Sequence, residues 1–529
     1  MSSYQDYDTP PPYEPPQQSA VPLDQPPPAA LSVIDDYERI INEKLDPVQE
    51  NVTELKCVHW VIDNFDELPD EVHGPTFEVG GHKWYVELHP RGNNNYGVDD
   101  YASIYLVWDG PSSKDEKGKK TIFGDYACAQ FVFCMSTPRY PTNYKSSGTH
   151  HRFTTDSNTW GYARHTMLNE TTTRDPETNR EAFLEDGKKI RITTIVRVFD
   201  DSTGLLWIDD SCFVSRDMTG YIGFKHEGTL SYLHCILQFL FAIKDFRKAV
   251  YAVPTEGQEP TRHIALALQR LFYQMQHSDK PVSVLELTKA FGWSSLDLYV
   301  AHDCVEFFDV LLGSLHRSYI TDTTIPNLFE SVIRQKDGYA KRQYVLQLNT
   351  VDCTSLDASF VEAVKTSFTI ETLPPVLLIQ LKHWKLNTQT RSFEKVYDRF
   401  TYPQEIDMGL YIDKKNDTSN GSHKYVLFSV IMHDGTMSQG VNYIYIKPDM
   451  DKDNWYKFDG DKVYPAKVDN VLDPRSGLKA DKNTAYVLGY IRKSRLSSVL
   501  ADVQPKEIPS HVMVSTLVDA LDKHQPFRS

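Results

Sequence analysis

Residues 220–243 read GYIGFKHEGTLSYLHCILQFLFAI, and this stretch decides how the second half of the chain folds. Apolar residues recur in it at the spacing of one helical face, namely Leu233, Ile236, Leu237 and Leu240. The pattern predicts a helix over residues 231–243. Ser231 stands at its start, shortly after Gly228 and Thr229, and a short hydroxyl side chain there predicts a helix N-cap.

Helical and strand patterns alternate from there to about residue 500. Further helices are predicted over 264–276, 284–290 and 303–316. Strands are predicted over 375–382, 425–432, 443–447 and 485–491. The second half therefore has the pattern of a mixed α+β domain.

The first half of the chain is rich in strand patterns instead. The runs at 83–88, 103–108, 129–133 and 190–198 each alternate in polarity or are β-branched. Clusters of Gly, Pro and Asn separate them and provide turn signals. Several short strands separated by turns predict an antiparallel β-sandwich.

The first 52 residues differ in composition from the rest. Prolines crowd residues 10–28, so this segment is predicted to be disordered with local polyproline II character. An amphipathic stretch at 34–45 favours a short helix. Pro10, Pro11 and Tyr13 fit the Pro-Pro-x-Tyr pattern that WW domains bind, and many WW domains belong to ubiquitin ligases. A solubilising tail without a ligand is the alternative interpretation.

The composition excludes some function classes. The formal net charge is −16, which disfavours nucleic-acid binding. The seven cysteines are widely spaced and form no Cys-x-x-Cys pair, so we expect neither a metal site nor a cofactor. The chain opens without an apolar signal segment and holds no apolar run long enough to span a bilayer. We expect a protein of the nucleus or cytoplasm that does not bind membranes.

An ordered set of residues between 55 and 214 resembles the MATH, or TRAF-like, domain. The set comprises Trp60, Asn64-Phe65, Gly80-Gly81-His82-Lys83-Trp84, Pro90-Arg91-Gly92 and Thr159-Trp160-Gly161-Tyr162. The resemblance implies a sandwich that binds short peptide motifs along a sheet edge. Protease-linked relatives grip peptides with an aspartate-tryptophan pair, and here Thr159 and Trp160 stand at those positions. An ordinary core or rim tryptophan is the alternative for Trp160.

Residues 218–498 resemble the ubiquitin-specific protease family (peptidase C19), in particular the herpesvirus-associated type that also carries a MATH domain. The motifs include Gly220-Tyr221-Ile222-Gly223-Phe224, Phe291-Gly292-Trp293, His302-Asp303, Asp398-Arg399-Phe400, Trp455-Tyr456-Lys457-Phe458-Asp459 and Ala485-Tyr486-Val487-Leu488. The resemblance implies a papain-like α+β fold with thumb, palm and fingers. The fingers segment, 330–371, is shorter than in active relatives. Residues 499–529 are predicted to be a helix-prone tail.

The family's catalytic residues are not those of this chain. The resemblance places Ser231 at the nucleophilic cysteine, His226 at the oxyanion asparagine and Val441 at the catalytic histidine. Asp459 alone matches, at the position of the acid that orients the histidine. A serine hydroxyl is a poor nucleophile without a base, and valine offers no lone pair.

We therefore predict a catalytically inactive family member that acts as a protein-binding scaffold or adaptor in a ubiquitin-linked pathway. The alternative is an active, cysteine-type deubiquitinase with non-standard catalytic groups. Cys235, His433 and His226 are the candidates for such groups, although Cys235 should be a buried structural thiol and the histidines could be ordinary solvated or hydrogen-bonded side chains.

The resemblance also implies a site for ubiquitin. Asp303 and Glu306 match acidic positions that contact the basic ubiquitin tail in the family, where carboxylates would face arginine. The short fingers reduce the surface available to the ubiquitin globule. The expected partners are proteins with short motifs, bound by the MATH domain, together with weakly bound ubiquitin and WW-domain ligases.

Overall fold

The structure is a computed structural model that describes residues 30–522, except 49, 94–99, 112–124, 174–181, 186–187, 209–212, 319–322, 390, 413–421, 437–438 and 474–481. Pro10, Pro11 and Tyr13 therefore lie outside the described residues. The chain divides into two compact units: the first holds residues up to 198 except 49–51 and 115–128, and the second holds the remainder. Among the helices of the described residues, none is long and apolar enough to cross a membrane.

Two antiparallel sheets build the N-terminal half. Its helices are α1 (Tyr37–Lys44) and α2 (Leu168–Thr172), and its strands are β1 (Asn51–Ile62), β2 (Val72–His73), β3 (Phe77–Val79), β4 (His82–His89), β5 (Tyr101–Pro111), β6 (Tyr126–Ser136), β7 (Tyr144–Thr154), β8 (Thr159–Met167) and β9 (Ile190–Asp200). One sheet has the order β1-β9-β6-β7, and the other has the order β2-β4-β5-β8 with β3 beside β4. The predicted sandwich is confirmed.

Aromatic side chains fill the space between these sheets. Trp84 and Phe153 are fully buried and pack edge to face, with ring centroids 4.9 Å apart. Phe131 and Phe133 join them from alternate positions of β6. Because neighbouring residues of a strand face opposite sides, residues 131 and 133 fill the sandwich while residue 132 points away from it.

Helix α1 covers the outer face of the sheet, the face on which Val132 lies. Ile40 and Ile41 are buried and form one apolar cluster with Val132, Cys134 and Ile195. The structure thus differs from the prediction of disorder over 1–52: residues 31–45 bury enough apolar surface to order, as their helical periodicity indicated.

The second unit combines helices with a large mixed sheet, as predicted. Its helices are α3 (Ser215–Thr219), α4 (Ser231–Ala242), α5 (Lys244–Tyr251), α6 (Ile264–His277), α7 (Leu285–Ala290), α8 (Cys304–Ser318), α9 (Thr324–Phe329), α10 (Leu356–Thr366), α11 (Val468–Leu472), α12 (Leu496–Val499) and α13 (Ser510–Asp522). Its strands are β10 (Ser331–Gln335), β11 (Ala340–Gln343), β12 (Val345–Asn349), β13 (Phe368–Thr372), β14 (Val376–Lys382), β15 (Trp384–Asn387), β16 (Ser392–Lys395), β17 (Glu405–Asp407), β18 (Lys424–Gly435), β19 (Gly440–Ile446), β20 (Trp455–Asp459), β21 (Lys462–Ala466) and β22 (Asn483–Arg492).

The sheet of this unit carries one wall of the candidate site. Seven strands run in the order β12-β14-β22-β18-β19-β20-β21, and β17 pairs with β18. A separate three-stranded sheet, β11-β10-β13, occupies the segment predicted to be the fingers, and β15 and β16 form a hairpin. Helix α4 lies in the main core, where nine of its twelve residues are buried. Its N-terminus is therefore held in place by packing.

Gly228 shapes the approach to α4. Its φ is +135°, a value that residues with a side chain rarely adopt. A Cβ atom there would lie 2.3 Å from the carbonyl oxygen of Leu298. The next residue, Thr229, donates its backbone N–H to the same oxygen over 2.9 Å. Only glycine lets the chain pass this close to residue 298 and turn into the helix.

The C-terminal helix α13 is tied to α6 by one buried arginine. Arg270 of α6 donates to Ser515 Oγ over 2.7 Å and to the carboxylate of Asp519, both on α13. It also donates to Glu286 Oε1 over 2.7 Å. The predicted helix-prone tail thus contains a packed helix, α13. It supplies polar partners to the Arg270 guanidinium, whose side chain is only 3% exposed.

Replacing Arg270 with leucine should loosen α13. Removing the cation leaves two partly exposed carboxylates without their donor, so we expect the free energy of unfolding to fall by about 2–3 kcal/mol. Arg262→Leu is the matched control: its ion pair with Glu259 is mainly exposed, and its loss should change stability by less than about 0.5 kcal/mol. Urea denaturation of both variants measures the difference, and equal losses would contradict the assignment.

Candidate functional site

A cleft of about 850 Å³ opens at the N-terminus of α4. Its walls come from α4, the 301–304 segment, β18, β19 and the turn that follows β20. The polar side chains that line it include His226, Ser231, His302, Asp303, Lys395, His433, Asn442 and Asp459. The cleft thus gathers three of the four catalytic positions predicted from the sequence, and Val441, the fourth, lies on its wall.

Ser231 is the first residue of α4, and Leu230 is the N-cap. The predicted role of Ser231 as N-cap is therefore wrong. Its hydroxyl is turned to the neighbouring strand, where Ser231 Oγ accepts the backbone N–H of Asn442 over 3.1 Å. A helix N-terminus favours negative charge, so an oxygen at this position sits in a field that would stabilise an anion.

His226 is oriented by a carboxylate. Its Nε2 lies 3.0 Å from Oδ1 of Asp461, which follows β20 in the two-residue turn of the β20–β21 hairpin. Gly460 takes the first central position of that turn with φ +58°, and a Cβ there would lie 2.4 Å from the His226 ring. With Nε2 donating to Asp461, the Nδ1 atom of the neutral ring keeps its lone pair.

His433 has a different environment. Its Nδ1 lies 2.8 Å from the ammonium of Lys395, so Nδ1 accepts and Nε2 carries the hydrogen. Burial and, to a smaller extent, the nearby Lys395 charge lower the pKa of His433 to about 4, while Asp434 and Asp303 oppose the shift. The ring is therefore neutral near pH 7, with its hydrogen on Nε2.

Val441 and Asp459 do not provide a base. The Val441 side chain is 54% exposed and has no atom that titrates. Asp459 Oδ2 lies 2.7 Å from the ammonium group of Lys457, so the partner of this carboxylate is a cation. The carboxylate predicted to orient a histidine thus forms an ion pair with a lysine of its own strand.

Asp303 and Glu306 lie at the start of α8. Asp303 Oδ1 accepts the backbone N–H groups of Val305 and Glu306 over 2.7 and 3.2 Å, as a helix-capping carboxylate does. Its second oxygen accepts the hydroxyl of Tyr486. Glu306 is exposed. Of the two predicted tail-binding acids, only Glu306 therefore presents its carboxylate mainly to solvent.

The buried thiols of this unit are poor nucleophiles. Cys235 is buried one turn inside α4, and burial raises the pKa of its thiol well above the ordinary value. Cys304 is also buried, and its pKa is likewise raised by burial. Because the thiolate is the reactive form, neither sulfur is set up for attack, as the sequence had led us to expect for Cys235.

In the first unit, Trp160 presents an aromatic surface near the start of β8. The side chain is 44% exposed and stacks face to face on His151, with centroids 4.3 Å apart. Thr159 beside it donates its hydroxyl to the side-chain carbonyl of Asn158 over 3.2 Å. Trp160 is thus a rim residue on an exposed strand, where a peptide could reach it.

Asp461 and Lys395 are the site residues that sequence reasoning missed. The signal for Asp461 was present, since strand-like residues flank the Gly460-Asp461 pair, as in a two-residue hairpin. Lys395 gave no such signal. It lies 38 residues before His433, and only the folded β15–β16 hairpin brings the two together.

Comparisons with known proteins match both units. The family described as ubiquitin carboxyl-terminal hydrolase matches residues 222–490, and the family described as MATH domain matches residues 57–174. Ubiquitin carboxyl-terminal hydrolase 15 of Schizosaccharomyces pombe is 32% identical, over 90% of this chain and 47% of its own length. Its namesake in Saccharomyces cerevisiae is 30% identical, over 86% and 42%. Ubiquitin carboxyl-terminal hydrolase 7 of Drosophila melanogaster is 31% identical, over 70% and 34%.

These relatives correct the functional prediction. The chain spans less than half the length of the relatives it matches, but the match covers most of its own residues, and the relatives are named as hydrolases. The predictions of an inactive scaffold and of a chain that is not an enzyme are therefore contradicted. They rested on the residue types at Ser231, Val441 and His226 and on the short fingers segment, and gave no weight to groups such as Asp461 that folding brings in.

The environment of His433 yields a test by titration. Lys395→Gln keeps a donor but removes the charge, so the pKa of His433 should rise above its present value of about 4. It should stay below the ordinary value of about 6.5, because burial, the larger cause, remains. NMR titration of ¹³C-labelled histidine measures the shift. Lys385→Gln, which removes an exposed lysine of the same hairpin, should leave the pKa unchanged, and a fall in Lys395→Gln would contradict the assignment.

Proposed function

The chain belongs to the ubiquitin carboxyl-terminal hydrolase family, and on that premise we propose that it hydrolyses the bond after the C-terminal residue of ubiquitin, with Ser231 as the nucleophile. The observation that carries the proposal is the cleft, which holds Ser231 at a helix N-terminus together with His226, whose ring is oriented by Asp461. The catalytic groups are thus non-standard, and the nucleophile is an oxygen rather than a sulfur.

Ser231 is favoured over the thiols by access. Its hydroxyl reaches the cleft, whereas Cys235 is buried and its pKa is raised. A serine attacks only when a base removes its proton. Val441 has no such group, so the base has to come from another segment of the cleft wall.

The His226–Asp461 pair has the arrangement of such a base. A carboxylate that accepts from one ring nitrogen fixes the tautomer and leaves the other nitrogen free to take a proton. Asp461 Oδ1 occupies the first role at 3.0 Å from Nε2, which leaves Nδ1 for the second. The His226 side chain is 72% exposed, so it has the freedom to turn toward a bound substrate.

The proposed reaction then follows the acyl-transfer scheme. Ser231 Oγ attacks the terminal carbonyl carbon of ubiquitin while His226 Nδ1 takes the hydroxyl proton. The oxyanion that forms lies at the N-terminus of α4, and the Nε2–H of His433 is a further donor on the cleft wall. His226 returns its proton to the departing amine, and water then hydrolyses the ester with His226 again as base.

Binding of ubiquitin would involve the start of α8. Glu306 offers an exposed carboxylate to a basic tail, and an arginine of the tail would make a charge-assisted contact with it. Asp303 contributes by placing α8, since its oxygens are engaged by backbone N–H groups and by Tyr486. This makes ubiquitin the proposed partner of the second unit.

The first unit would recruit other proteins. The match to the MATH family supports binding of short peptide motifs, and the exposed Trp160 on β8 is the proposed contact residue, with Thr159 beside it. The Pro10-Pro11-x-Tyr13 motif is a proposed ligand of WW domains in ubiquitin ligases. These partners fit an acidic protein that works in the nucleus or cytoplasm, which is our proposal for its location.

Hydrolysis of a fluorogenic amide at the C-terminus of ubiquitin tests the reaction. Ser231→Ala should abolish turnover, and Asp461→Asn should lower kcat by at least about 100-fold with little change in KM, because it removes the group that orients the base. Cys235→Ala should leave turnover unchanged. Loss of turnover in Cys235→Ala but not in Ser231→Ala would transfer the nucleophile to the thiol, and no turnover by the unmodified chain would refute hydrolysis.

Ubiquitin binding is tested separately at Glu306. Glu306→Gln removes the carboxylate charge at an exposed contact, so the Kd for ubiquitin should rise about two- to fivefold. Glu259→Gln removes a comparable exposed charge elsewhere in the same unit and should leave the Kd unchanged. Calorimetric titration with monoubiquitin measures both values. An unchanged Kd in Glu306→Gln would remove this residue from the interface.

A further inference from the structure

Two Glu-x-His sequences meet side by side in the first unit. One is Glu71-Val72-His73, which ends in β2, and the other is Glu87-Leu88-His89, at the end of β4. The strands are antiparallel, with Val72 opposite Leu88 and His73 opposite Glu87. Because alternate residues of a strand share one face, the two glutamates and two histidines form a square on a single face of the sheet.

Short distances join the four side chains. His73 Nε2 lies 3.0 Å from Glu71 Oε1 and 4.0 Å from Glu87 Oε2. His89 Nε2 lies 2.9 Å from Glu87 Oε1. One ligand atom each of Glu71, Glu87 and His89 falls within 4.8 Å of the others, which within the described parts of the chain is the one such group of three. Glu71, Glu87 and His89 are therefore close enough together to surround one ion. His73, whose Nε2 lies within 4.0 Å of both glutamates, is the candidate for the fourth ligand.

We propose that this square binds a divalent transition-metal ion of the zinc type, with Glu71, His73, Glu87 and His89 as ligands. Imidazole nitrogen and carboxylate oxygen are ligands that zinc takes at about 2.0–2.2 Å, which puts tetrahedral neighbours about 3.3 Å apart. The distances of 2.9, 3.0 and 4.0 Å between the histidine Nε2 atoms and the glutamate oxygens lie on either side of that value. Two carboxylates also balance the charge of a divalent cation.

The surroundings suit a structural site. His89 is almost fully buried, with 9% of its side chain exposed. His73 packs beside Tyr85, with ring centroids 4.8 Å apart. Glu71 and His73 are about half exposed and give an ion a way in from solvent. Four protein ligands fill a tetrahedral ion, so the metal would fasten the two-residue β2 to β4 and leave no position for chemistry.

Sequence reasoning led us to expect no metal, because it looked for cysteine pairs. The ligands here come instead from two strands joined by antiparallel pairing, which spacing along the chain does not reveal. The site lies entirely in the first unit and does not rest on the proposed hydrolase activity, so the two proposals fail or succeed separately. The competing interpretation is a set of histidine-glutamate ion pairs without a metal.

Titration of the chelator-treated, full-length protein with Co²⁺ and Zn²⁺ tests the site. We expect one equivalent of Co²⁺ to give the visible absorption of a tetrahedral nitrogen and oxygen site without a thiolate charge-transfer band. Zn²⁺ should displace it and raise the Tm of the first unit. Binding should weaken as the pH is lowered, because the metal binds the deprotonated forms of its ligands.

Matched variants locate the ion. Glu71→Gln and His73→Gln change half-exposed residues, so the fold should persist while the Zn²⁺ affinity falls at least about tenfold. His89→Gln should abolish stoichiometric binding. His150→Gln, an exposed residue on β7 of the same unit, should bind as the unmodified protein does.

Three results would overturn the proposal. The first is the absence of metal binding at Zn²⁺ or Co²⁺ concentrations up to about 100 μM, because the binding free energy would then be too small for a structural site. The second is an unchanged affinity in Glu71→Gln, His73→Gln and His89→Gln. The third is a thiolate band, which would place the ion on cysteines instead of the square.

Discussion

The contact between the first turn of α4 and strand β19 is the constraint that organises the second unit. Since nine of its twelve residues are buried, α4 cannot shift without disturbing the core. The backbone N–H of Asn442 meets Ser231 Oγ at 3.1 Å and joins helix to sheet at the floor of the cleft. Separate segments of the chain contribute the rest of the cleft, including His226, the Gly460-Asp461 turn and His433. The cleft therefore depends on a helix position that core packing sets.

Local periodicity predicted most of the elements. The predicted helix over 264–276 ends one residue before the observed end of α6, and the predicted strand 425–432 lies inside β18. These elements have one consistent apolar face, which sequence alone displays. The N-cap of α4 was assigned one residue too late, because the hydroxyl of Ser231 binds the backbone of β19 rather than that of its own helix. A tertiary partner of this kind leaves no local trace.

The candidate site was predicted in part. The cleft contains Ser231, His226 and Asp459, as the resemblance implied, but the partners of these residues could not be read from spacing. Asp459 pairs with Lys457, and His226 pairs with Asp461. The prediction of an inactive scaffold treated each position by its residue type, whereas reactivity depends on which neighbours folding supplies, and the relatives named as hydrolases contradict it.

The position of α1 has a consequence for solubility. Strand β6 is apolar on both faces: one faces the sandwich core, and the other, with Val132 and Cys134, lies under Ile40 and Ile41. A chain cut just before β1 would keep every strand yet expose this second face as a flat apolar patch, which invites self-association. The residues that precede the sandwich thus keep it soluble, because they cover an apolar surface that the strands alone leave exposed.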